Sequence, residues 1–159
     1  MSSVEKSWRH WTRTSDWIGL VSFGFFLIAL AVVWIITPNF SGEIVDFVND
    51  FHPANVSENI VFYAPQSPHP ILYTALMELC IIGGIFQIVI LMFRIAYHEP
   101  VRKKADSISS IGFSFSMAFF FNWAASVISA SVGWFGLLAG LIFSIGLSMV
   151  LSSVVKLLR

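Results

Sequence analysis

Charge is the scarcest property of this 159-residue chain: 11% of its residues are Asp, Glu, Lys or Arg, against about 25% in soluble domains. Hydrophobic residues make up 57%, so the polar surface that a water-exposed fold needs is missing. The single cysteine, Cys80, excludes an intrachain disulfide and any multi-cysteine metal cluster. No histidine falls inside a long apolar run, because His10, His52, His69 and His98 lie at or beyond the ends. A haem held between membrane spans would therefore find no axial ligands. Asp46, Asp50, His52 and His69 match no compact metal-ligand motif. A glycine-rich phosphate loop, a nucleophile elbow, HExxH and a voltage-sensor arginine ladder are all absent. No cofactor, metal or nucleic-acid partner is expected.

What the chain does have is four apolar runs, at about 17–37, 70–97, 107–130 and 132–156. At 1.5 Å per helical residue each is long enough to cross a hydrocarbon core of ~30 Å. The first follows Lys6, Arg9 and Arg13 as a signal peptide would, but its apolar core of about 20 residues exceeds the usual 7–15, so it reads as a span. The expected fold is an all-α integral membrane protein, a single membrane domain over residues 1–159. It is read as a four-transmembrane-helix bundle with a short amphipathic interfacial helix in the outer loop.

The charges are sorted by side. All nine Lys and Arg fall on one side of the four spans: Lys6, Arg9, Arg13, Arg94, Arg102, Lys103, Lys104, Lys156 and Arg159. Glu43, Asp46, Asp50 and Glu58 occupy the other side, with no basic residue among them. The positive-inside rule then puts both termini and loop 98–106 in the cytoplasm and loop 38–69 outside. Trp8, Trp11 and Trp17 read as interfacial anchors in the basic arm, which would rest against anionic lipid headgroups.

In the outer loop, "SGEIVDFVNDF" sets Ile44, Phe47, Val48 and Phe51 at i, i+3, i+4 and i+7, with Glu43, Asp46, Asn49 and Asp50 opposite. This spacing predicts an amphipathic helix over about 42–51, capped by Ser41 and limited by Pro53. The proline-rich remainder is expected to be irregular, with one turn of helix or a short extended piece. Asn39 and Asn55 head N-x-S triplets; Asn55, farther from the membrane, is the better glycosylation acceptor if the source glycosylates. Spans three and four, joined across the short "SASVG", must form an antiparallel hairpin.

Polar residues inside the spans mark the candidate site, because such groups are costly in lipid and normally face inward. Glu78 and Asn122 each lie eight residues from the outer end of their span, roughly 12 Å deep at the helical rise. Ala29 and Gly140 fall at that level on the other two spans. Thr74 and Ser126, one turn outward, complete an expected cluster of Thr74, Glu78, Asn122 and Ser126. Gln87, on another face, is expected to meet Ser114 or Ser148 at a second polar level. Glu78 reads either as a neutral hydrogen-bonded peg or as a titrating group in a wetted cavity. Span four also carries Gly136, Gly140, Ser144, Ser148 and Ser152, five small residues four apart. Such a ridge serves close packing within the bundle or on a second copy.

The four-span plan, the amphipathic piece after the first span, and Glu78 followed by Gly83-Gly84 resemble the DoxX-like family of small membrane proteins. The glutamate-to-glycine spacing is wider here, and no residue role is carried over. Membrane lipids, further copies, or a larger membrane complex are the expected partners. Three functions remain open. The first is a non-catalytic structural or assembly subunit or self-associating module. The second is a minimal channel or transporter using Glu78 and Asn122, and the third is an enzyme acting on a lipid or quinone.

Overall fold

A computed structural model describes residues 3–57 and 60–157, and the side chains of residues 19–53 and 61–157. The side chains of the basic arm, including its tryptophans, and those of Asn55, Glu58 and Arg159 lie outside the described residues. In chain order the elements are α1 (Ser3–Ile36), α2 (Phe40–Asn49), β1 (Phe51–Ser57), β2 (Ile60–Pro65), α3 (Pro70–Ala96), α4 (Val101–Ser126) and α5 (Ala130–Leu157). Four helices, α1, α3, α4 and α5, contain stretches long and apolar enough to cross a membrane.

Small residues fill many of the buried positions, while most large apolar ones are exposed. Ala29, Ala75, Ala105, Ala118, Ala124, Gly140 and Ser144 are buried. Phe23, Ile35, Met92, Phe119, Ile142 and Met149 are exposed. Water would penalise that arrangement. It is the one expected where lipid supplies no hydrophobic drive between helices and small residues let backbones approach. α4 packs along both α3 and α5, and α1 makes its main contact with α3. There Phe25 stacks on Phe86 with centroids 3.7 Å apart, and Val33 and Phe40 bury against Leu72 and Ala75.

Several boundaries differ from the sequence reading. α4 begins at Val101 and not near Ser107, because Arg102, Lys103 and Lys104 lower the hydropathy without breaking a helix. It ends at Ser126, so the connection to α5 is Val127–Ser129, and most of "SASVG" already belongs to α5. The turn between α3 and α4 is tied by Arg94. Its guanidinium donates to the Lys103 carbonyl and lies 3.6 Å from Glu99, which also meets Lys103 at 3.3 Å.

α2 covers Phe40–Asn49, two residues earlier than expected. Ser41 is inside the helix and does not cap it. Asn39 takes the cap position in the left-handed conformation, φ 53°, which Asn tolerates better than most residues. Its carboxamide lies over Gly42, where an added Cβ would sit 2.6 Å from the Asn39 side-chain oxygen. The residues after α2 are not irregular. β1 and β2 form an antiparallel hairpin pairing Phe51 with Pro65, Pro53 with Tyr63 and Asn55 with Val61, with a bulge near Ser57. Pro53 and Pro65 are compatible with it because both strands of a two-stranded ladder are edges, where a missing N–H costs little.

Candidate functional site

The helix contacts give levels for the polar residues. Tyr73 and Ala124 share one buried cluster, and the Phe115 ring lies against Gly84. Interpolating between these pairs puts the residue opposite Glu78 at about Phe120, two residues from Asn122. Gly140 lies against Phe120 as well, so Glu78, Asn122 and Gly140 share a level. They do not share a face. Asn122 is exposed, as are Phe119 at i−3 and Phe115 at i−7, the last with its ring beside Gly84 of α3. Glu78 is half-buried and, among the described residues, makes no hydrogen bond or ion pair. Thr74 is half-buried, and exposed Ser126 donates to the Trp123 carbonyl at 2.7 Å. No hydrogen bond joins Thr74, Glu78, Asn122 and Ser126 to one another.

The five small residues of α5 have a clear set of neighbours. A Cβ at Gly136 would collide with the Trp123 ring, and one at Gly140 with Phe120. The fully buried Ser144 hydroxyl lies 2.9 Å from Ser116 Oγ and donates to the Gly140 carbonyl at 2.7 Å. Ser109 donates to the Ser148 carbonyl at 2.9 Å. Trp123, Phe120, Ser116 and Ser109 all belong to α4. Ser152 is half-buried in the last turns of α5.

Gln87, Ser114 and Ser148 stand on the wall of a cavity of 420 Å³ between α1 and the α3–α4–α5 layer. That volume lies within the ~300–1,000 Å³ range of small-molecule sites. α1 contributes Ser22, Phe25, Phe26 and Ala29; α3 adds Leu79, Cys80, Gly83 and Phe86; α4 adds Ser109, Ser110 and Phe113. No acidic or basic side chain lines it, and Glu78 is on another face of α3. The involvement of Ser22, Ser109 and Ser110 was not anticipated. The serine-rich start of span three, "SISSIGFSFS", was the available signal.

A third group of polar residues lies at the opposite end of α3. Buried His69 sets Nε2 3.1 Å from Asp50 Oδ2 and Nδ1 3.9 Å from Glu43 Oε2. The same Asp50 oxygen accepts the Ser67 N–H at 2.6 Å. That bond, followed by the interaction with His69, holds the Asp50 carboxyl below its usual value of 3.8. Phe47 stands edge-on to both His69 and Tyr73, and it and Phe51 reach Trp134 of α5. Both imidazole nitrogens face a carboxylate, so the arrangement ties the end of α2 to the start of α3. Among the described residues, no group of three or more His, Cys, Asp or Glu is arranged to hold a metal. Compared with family models, curated proteins and solved structures, the chain matches none.

Proposed function

We propose that this chain is a non-catalytic subunit of a larger membrane assembly, joined to a partner's membrane-spanning segment through the exposed Asn122 of α4 and the half-buried Glu78 of α3. The observation that carries this reading is the pair of polar side chains, Glu78 and Asn122, that make no hydrogen bond or ion pair among the described residues inside candidate spans. A charged group at mid-bilayer costs ~2.5–3.5 kcal/mol on insertion scales, and even the neutral acid keeps a donor and an acceptor to satisfy. A hydrogen bond to a neighbouring helix relieves that cost.

In this reading the small-residue ridge of α5 packs the hairpin of α4 and α5, because its neighbours Trp123, Phe120 and Ser116 are residues of α4. Self-association through that ridge is correspondingly disfavoured. A transport path through Glu78 has less support, since the cavity between the helices does not include it. The basic residues at one end of the helices, Arg94, Arg102, Lys103, Lys104 and Lys156, support cytoplasmic termini. α2 and the hairpin then cap the outer end, with the exposed Val45 and Val48 of α2 resting in the outer interface.

The test is extraction from the native membrane into lipid nanodiscs followed by native mass measurement. The reading expects a particle holding this 17.8 kDa chain with at least one further protein chain, lost when Glu78 and Asn122 are both replaced by Leu. A single chain carrying only lipid would refute it.

A further inference from the structure

The cavity between α1 and the other helices is graded along its length, and the gradient specifies a class of ligand. By the same cross-helix levels, Gln87 of α3 and Ser148 of α5 both lie opposite about Ile111–Gly112 of α4, so Gln87, Ser109, Ser110, Ser114 and Ser148 form one belt. The belt begins three residues, about 5 Å, inside Asp106 and the basic end of the molecule, and Ser114 lies eight residues, about 12 Å, inside it. Beside the belt Phe25 stacks on Phe86, and further in the wall is Ala29, Leu79 and Gly83. One end is therefore polar and near an interface, and the other is apolar and deep.

The belt's hydrogen-bonding capacity is only partly used. Ser109, Ser110 and Ser148 donate to the carbonyls of Ser148, Asp106 and Ile145 at 2.9 Å each, so their oxygens can still accept. The Gln87 carboxamide and the Ser114 hydroxyl have no partner among the described residues, and each can donate and accept. With no ion on the wall, a charged headgroup would lose hydration without compensation. We propose that this cavity binds an uncharged amphiphile. Its carbonyl or hydroxyl head pairs with Gln87 and Ser114, and its apolar chain runs toward Ala29 and Leu79. A glyceride and an isoprenoid alcohol or quinone share this chemistry. The proposal does not depend on the assembly role, because the cavity is lined by residues other than Glu78 and Asn122.

The experiment uses the full chain in phosphatidylcholine nanodiscs with a diazirine-tagged monoacylglycerol. Irradiation is expected to label the segments around Phe25 and Phe86. An added Cβ at Gly83 meets nothing within 4 Å, so Gly83→Phe fills the cavity and is expected to abolish that labelling while helix content stays unchanged. Gln87→Leu, which leaves the cavity open, is expected to weaken it about threefold to tenfold, the worth of one hydrogen bond. Mass spectrometry of lipid extracted from the native protein then separates the sources by fatty-acyl or isoprenoid chain, either of which supports the proposal. Labelling spread over the outward faces, unaltered labelling in both variants, or a charged phospholipid as the retained species would overturn it.

Discussion

Glu78 shows what a single residue in a span does and does not reveal. Residue counting addresses level alone, because the rise of a helix is constant; the contacts of Phe120 with Gly140 and of Phe115 with Gly84 set Glu78 opposite about Phe120 of α4. Its azimuth was not readable, because the rotation of each helix follows from how side chains interlock and not from their number. Asn122 accordingly shares its level and lies on an exposed face. Asp50 is the opposite case: its sequence neighbours give no hint that it reaches Ser67 and His69, 17 and 19 residues away. Because its carboxyl is held below 3.8 in the folded chain, its contribution is complete above that pH and is lost as pH falls through the lowered value. Hydrogen exchange should show the Ser67 amide protected at neutral pH and released at acid pH. Asp50→Ala, which removes the acceptor, should leave it fast at both, while protection of that amide in the variant would show that the Asp50 side chain is not what holds it.

At the scale of elements, the four apolar helices were legible because long apolar runs with few charges have few alternatives. The hairpin of β1 and β2 was not, because Pro53 and Pro65 read as breakers. Only the finished two-stranded ladder, with both strands free on one side, makes room for them. The regular serines and glycines of α5 were visible too, but whether they served a neighbour within the chain or a second copy depended on the rotation of the helix. Their contacts with α4 allow a direct check. Gly140→Leu should drive a side chain into Phe120 and destabilise the chain by about 1–3 kcal/mol, the usual cost of overpacking. Gly146→Leu, on the exposed face with nothing within 4 Å, should be nearly neutral. Unfolding in detergent with increasing dodecyl sulfate measures both. Equal stability of the two variants would remove the close approach of α4 and α5 from the account.

For the whole molecule, small residues such as Ala75, Ala105, Ala124, Gly140 and Ser144 fill many of the buried positions, while most of the large apolar side chains are exposed. Most of that outer surface suits lipid. The exposed Asn122 and the half-buried Glu78 do not, and the function proposed for the chain rests on that contrast. A photoreactive amino acid placed at position 122 in the native membrane, with position 142 on the exposed apolar face of α5 as reference, tests it most directly. The account predicts a discrete protein adduct from position 122 and lipid adducts alone from position 142. Lipid adducts alone from both positions would contradict it.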